Sequence, residues 1–257
     1  MNASTEGSFL EEARTRLSTL LDENGLLDED VLVRVGLLTP EQAIGTPLRK
    51  DFPILVGKEK VIEARFRSAR GHAFTDAPVE FRGTVREILE RPLESNADRA
   101  LFVAALNAAL RHLGQISGAM HCRDDDPEKC AAEIARVVRE KAGEATVGLI
   151  GCNPAILEAL VGEFGAGRVR LTDLNPDNIG KAKQGVEVWH GATHMERLVR
   201  EADMVVLTGT TFVNNTFPRI WETIQRYGKD SLIYGVTAAG LCHLFGLKRL
   251  CPYGRDE

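Results

Sequence analysis

The stretch "TVGLIGCNPAILEALVGEFGAGRVRLTDLNPD", Thr146–Asp177, decides the fold. "TVGLIG" is a short apolar run with the composition of a buried strand. "PAILEALVGEFG" has the length and spacing of a helix, and "RVRLTD" is a second strand. The two strands end on an echo. "GCNPA" follows the first and "DLNPD" the second, each with Asn before Pro. Asn is a good N-cap, and Pro suits the first helical position, where no N–H is needed. Asn153–Pro154 and Asn175–Pro176 therefore each predict a helix N-terminus at the carboxyl end of a strand. Anions and nucleotides bind at that place in open α/β sheets.

The alternation continues outward from this unit. "NPDNIGKAKQG" predicts a helical turn, "VEVW" a short strand, "HMERLVREA" a helix, "DMVVLTG" a strand, "PRIWETIQRYG" a helix and "SLIYGV" a further strand. Strands alternating with helices predict an α/β fold with a Rossmann-like parallel sheet.

Upstream the pattern differs. "SFLEEARTRLSTLL" places Phe9, Leu10, Ala13, Leu17, Leu20 and Leu21 on one helical face, with Ser8 and Glu11 spaced as a capping box. Three β-like runs follow, "VLVRVGLL" from Val31, "FPILVG" from Phe52 and "VIEARF" from Val61, and then an irregular "GHAFTDAPVEFRG". This is the pattern of a small α+β unit. "RPLESNADR" reads as its boundary, so the expected domains are 1–93 and 94–257. "ADRALFVAALNAALRHLG" is apolar on nearly every side, which predicts a helix buried from several directions at the junction of the halves and ending at Gly114.

The chain has 257 residues, a net charge of -5 and scattered Lys and Arg, which argues against a general nucleic-acid binder. No run is long and apolar enough to span a membrane, and the polar, acidic opening residues do not read as a signal peptide. A cytoplasmic protein without nucleic-acid or membrane partners is the expectation, and a homo-oligomer stays open. Five scattered cysteines with no CxxC pair do not form a disulfide framework, a zinc ribbon or a thioredoxin motif.

The candidate ligand residues lie just beyond the expected strand ends: Gly151, Cys152, Asn153, Asp173, Asn175, Thr210, Thr211, Asn214 and Thr237. Asp173 has the spacing from Gly151 of the acidic residue that binds a ribose hydroxyl, yet "GCNPAI" lacks two glycines of the dinucleotide fingerprint. A dinucleotide, S-adenosylmethionine or another small ligand all remain open, as does a plain turn role for Asp173. "LTGTTFVNNT" and "YGVTAAG" offer hydroxyl and amide groups suited to neutral hydrogen bonding.

"HCRDDDPEKC", His121–Cys130, is the other candidate. Asp126 and Pro127 read as N-cap and first helical residue, with Cys130 on the apolar side of the helix and expected to be packed. His121, Cys122 and Asp124 lie in the preceding loop, available to a ligand or a divalent metal, and Cys122 is expected to be the more accessible thiol. Remote donors that could complete a site are Cys152, Cys251, His243 and His72.

"GHAFTD", "HCRDDDPEKC", "TDLNPDNIG", "LTGTTFVNNT", "YGVTAAG" and "CPYGR", in this order, resemble a domain-of-unknown-function family labelled putative heavy-metal chelation. The resemblance implies a first half like the enolase N-terminal domain, a Rossmann-like second half, and a site in the cleft between them. It leaves three functions open: an enzyme of heavy-metal chelation or of the synthesis of a metal-chelating metabolite, a non-catalytic binder of a metal or metal complex, and a nucleotide- or S-adenosylmethionine-dependent enzyme.

Overall fold

The computed structural model describes residues 8–27, 32–57 and 59–256. The first half contains α1 (Ser8–Glu23), β1 (Leu32–Leu38), α2 (Pro40–Ile44), β2 (Lys60–Phe66), β3 (Ala69–Thr75), β4 (Phe81–Thr84) and α3 (Val85–Leu89). Val31 and the Ser8 side chain lie outside the described residues. The strands form a four-stranded antiparallel sheet in the order β3-β2-β1-β4. Thr39 and Thr84 start α2 and α3 through capping boxes with Gln42 and Glu87, which satisfy otherwise orphaned N–H groups. Two expectations change here. "GHAFTDAPVEFRG" is not irregular but supplies most of β3 and all but the last residue of β4, because Arg67, at φ 53°, turns the chain back from β2. "FPILVG" is a turn rather than a strand, its Leu55 N–H folded back onto the Phe52 carbonyl at 2.9 Å.

The second half contains α4 (Asn96–His112), α5 (Asp126–Ala142), β5 (Val147–Ile150), α6 (Pro154–Phe164), β6 (Val169–Asp173), β7 (Ala182–Lys183), β8 (Val186–His190), α7 (Gly191–Glu201), β9 (Met204–Thr208), α8 (Thr210–Val213), α9 (Phe217–Arg226), β10 (Asp230–Tyr234), α10 (Ala239–Phe245) and β11 (Arg249–Leu250). The sheet order is β11-β10-β9-β5-β6-β8-β7, parallel throughout except for β7. With that small edge strand set aside, the order from β8 to β11 is the Rossmann order, and the direction of winding reverses between β5 and β9. "NPDNIGKAKQG" forms a turn, not a helix, and its end becomes β7, which hairpins onto β8. Helix α5 starts one residue earlier than expected, so Pro127 occupies the second position and Asp125 is the cap, without a side-chain cap bond.

Helix α4 is buried at every residue from Arg99 to Leu110. One side packs on β2 and β3, the other on α10. The approach to β3 is backbone on backbone: a Cβ at Gly71 would lie 2.3 Å from the Ala108 nitrogen and 2.6 Å from the Ala104 carbonyl oxygen. On the opposite side a Cβ at Gly240 would meet Leu106, Asn107 and Leu110 at about 3 Å. Between these contacts sits Asn107, fully buried. Its amide donates to the carbonyls of His72 (2.9 Å) and Val236 (3.2 Å), and its oxygen accepts from the Gly240 N–H at 2.7 Å. One side chain thus joins β3, α4 and the start of α10.

The expected boundary at 93/94 falls between α3 and α4. Two hydrophobic cores are present, and each draws from both sides of it. The first combines Leu17, Phe66 and Ala73 with Leu106, Leu207 and Ile224. The second combines Ile44, Phe52 and Val61 with Cys130, Leu149, Ile156 and Val206.

Asn107→Ala should cost about 2–5 kcal/mol in urea unfolding, because it strands buried backbone groups at roughly 1–3 kcal/mol each. Gly71→Ala should cost at least the ~1–3 kcal/mol typical of overpacking, since the clash is with backbone and not with a movable side chain.

Candidate functional site

A cleft of about 880 Å³ opens at the carboxyl ends of β5, β6, β9 and β10, with its opposite wall formed by the first half and by the loop ahead of α5. All nine candidate ligand residues line it, as do His121 and Cys122. The winding reversal explains this convergence: the connections after β5 and β9 leave in opposite directions and open a crevice between them.

Most of these polar groups already have partners. Asn153 caps α6 as expected, its side-chain oxygen accepting from the Ala155 and Ile156 N–H groups, both at 3.1 Å. Asp173 ties the ends of β5 and β6 together. One oxygen accepts from the Cys152 N–H (3.2 Å) and the Asn178 amide (2.8 Å), the other from the Asn175 N–H (2.9 Å). Asn175 accepts from the Asp177 N–H at 3.0 Å and so caps a turn. The Thr210 and Thr211 hydroxyls bond to Thr208, and Asn214 accepts from Thr216. The Thr237 hydroxyl accepts from the Phe74 N–H at 3.1 Å, another tie between the halves.

The loop ahead of α5 departs from expectation in two ways. Asp124 does not face the cleft. It is exposed, sits at φ 58°, and accepts from the Thr46 N–H (3.0 Å) and hydroxyl (3.3 Å). Its own N–H donates to the Ile44 carbonyl at 2.8 Å. It therefore pins the loop to the end of α2. Cys122 is not accessible but buried, like Cys130. The loop around it is held on several sides: Met120 pairs with Arg255, the Ala119 carbonyl accepts from the His72 N–H, and the Cys122 thiol contacts Cys130. The Cys130 thiol contacts those of Cys122 and Cys251; the Cys122 contact and burial push it up to about 12, against the Cys251 contact, which pulls it down. Cys152 is raised to about 11 by burial and by Asp173.

His121 faces the cleft with its ring edge-on to Phe74 at 5.0 Å. Its Nδ1 is buried and has no hydrogen-bond partner among the described residues. Burial holds its pKa down, at about 4, so the imidazole is neutral. Its backbone N–H donates to His72 Nδ1 at 3.1 Å, so the His72 proton lies on Nε2, facing the buried carboxylate of Glu63 at 3.2 Å. The Glu63–His72 pair thus fixes the position of His121. Of the remote donors, Cys152 and Cys251 line the cleft, whereas His243 lies elsewhere, against Gln115. Among the described residues no group of three or more His, Cys, Asp or Glu side chains is arranged to hold a metal ion. The three thiols meet pairwise through Cys130.

Sequence reasoning missed Glu59. It lines the cleft, and its carboxyl is raised to about 7 by burial and by the charges of Asp173 and Asp76. In the sequence it sits within "GKEK", which looks like a solvated charged turn. Only the packing of that turn over the mouth of the Rossmann sheet reveals it.

The family whose model matches is DUF364, described as "Putative heavy-metal chelation", over residues 134–247, from within α5 to just past α10. It is the family that the motifs resemble. Two crystal structures of DUF364 proteins of unknown function are similar in fold. One, from Pyrococcus horikoshii, has a TM-score of 0.53 at 16% identity and covers 90% of this chain and 80% of its own. The other, from Desulfitobacterium hafniense DCB-2, has a TM-score of 0.51 at 16% identity and covers 91% and 84%. No curated protein matches the chain.

Burial limits the reaction of Cys122, and burial together with a raised pKa limits that of Cys130, Cys152 and Cys242, so all four should alkylate at least ~100-fold slower in the native protein than in urea at neutral pH. Mass-spectrometric mapping checks this, and rapid labelling of Cys122 would contradict the burial described.

Proposed function

We propose that this protein is an enzyme that binds a small organic metabolite in the cleft between its halves and moves a proton on it with Glu59. The observation that carries this reading is the Glu59 carboxyl lining a roomy crevice beside Asp173 and Asp76, where burial and those two charges raise it to about 7. A group with a pKa near 7 can both give and take a proton under ordinary conditions, which is the requirement for general acid–base work. The hydroxyls and amides around it suit orientation rather than chemistry. The family model's description directs the search toward heavy-metal chelation, with the metabolite a metal-chelating compound or its precursor.

A second reading is favoured by one observation of its own. The contact of Cys122 and Cys251 with Cys130 gathers soft donors on one wall of the cleft, as a non-catalytic binder of a thiophilic metal would need. Metal analysis of the purified protein after dialysis separates the two. The enzyme reading expects less than stoichiometric metal, with small molecules retained or binding in the cleft. Stoichiometric metal that falls on Cys130→Ser would support the second reading.

The raised carboxyl also has a consequence for stability. Between about pH 4.5 and about 7 the folded protein holds a proton on Glu59 that the unfolded chain releases, so this residue makes stability fall as pH rises through that window. Glu59→Gln should match the parent near pH 4.5 and become the more stable of the two by pH 8. Urea unfolding at the two pH values reads the difference, and a constant gap would show that Glu59 titrates normally.

A further inference from the structure

The Rossmann crevice ordinarily receives phosphate because free N–H groups at the helix after the first strand, and the positive end of its dipole, face the ligand. In this chain that cradle is filled from within. Pro154 has no N–H, Asn153 takes the N–H groups of Ala155 and Ile156, and Asp173 takes that of Cys152. The Asp173 carboxylate stands beside the helix start, where a pyrophosphate would bring its own negative charge.

In the rest of the lining carboxyl groups outnumber cations. Glu59 and Asp76 add carboxyl groups close enough for both Asp76 and Asp173 to act on Glu59. Among the described lining residues Arg219 is the single Lys or Arg. The opposite wall includes His121, a neutral imidazole that adds no positive charge of its own. A cleft with apolar walls and an excess of one sign of charge concentrates ligands of the other sign.

We propose that the cleft selects a positively charged organic ligand, an ammonium or sulfonium compound, and rejects phosphate-bearing nucleotides, with Glu59 and Asp76 as the residues that read the charge. This rests on the small-molecule reading of the cleft given above and adds the class of ligand.

Matched probes that differ in charge test it. The full-length protein would be titrated by calorimetry, and followed by thermal shift, with S-adenosylmethionine against S-adenosylhomocysteine, with spermidine, and with ADP and NAD. The expected result is binding of at least one cation. S-adenosylmethionine should exceed its uncharged-sulfur partner by about tenfold, and ADP and NAD should be silent at millimolar concentration. Glu59→Gln and Asp76→Asn, each checked for native unfolding behaviour, should each reduce the preference for the cation toward parity. Tighter binding of ADP or NAD than of every cation overturns the proposal and leaves the small-molecule reading standing. So does a cation preference unchanged in both variants. Binding by no probe of either sign overturns the proposal together with the reading on which it rests.

Discussion

The hydrogen bonds of Asn107 are the joint on which this molecule turns. A single buried amide accepts from the start of α10 and donates to β3 and to the segment after β10. Each of those backbone groups would otherwise be buried and unpaired, at a cost of roughly 1–3 kcal/mol apiece. The amide can make all these bonds only because α4 comes within backbone contact of β3 at Gly71 and lies close against α10 at Gly240. The first half meets the Rossmann sheet through this helix, and the position of the cleft wall follows from it. Phe74, Thr75 and Asp76 run along that wall, with the Phe74 N–H fastened to Thr237 directly.

The cleft keeps the crevice of a nucleotide-binding sheet while the helix start that would face a phosphate is capped from within. The strand order and the reversal between β5 and β9 are those of nucleotide-binding sheets. The groups that would hold a phosphate are instead spent on Asn153 and Asp173, which cap a helix and link two strand ends. Asp173 is thus structural through the donors it already receives, and electrostatic through the charge it keeps at the cleft.

The Rossmann half was legible because its signals are local. Apolar strands, Asn–Pro starts and helix periodicity each depend on a few neighbouring residues, and Asn153 behaves as its type and position dictate. The misreadings occur where long-range pairing decides. "GHAFTDAPVEFRG" becomes strand because β2 and β1 offer it edges, not because its own pattern alternates. "DLNPD" begins like "GCNPA" but ends in a turn, because β7 hairpins onto β8 and takes the residues a helix would need. The strand-end residues converge on the cleft as their positions imply. Cys122, Asp124 and Glu59 could not be placed in this way. The loop holding Cys122 is fixed by distant pairings, Met120 with Arg255 and Ala119 with His72, Asp124 answers to Thr46, and Glu59 gains its environment in part from Asp173 in the other half.

The two cores shared across the 93/94 boundary decide how a ligand can enter. A hinge needs a plane along which one body slides or swings from another with little loss of packing. No such plane exists here at small cost, because rotating the first half would tear apolar side chains from both cores at once and break the Asn107 bonds with them. The jaws of the cleft are therefore fixed calipers rather than a closing trap. With both cores spanning the boundary, the fit between ligand and walls is set before the ligand arrives.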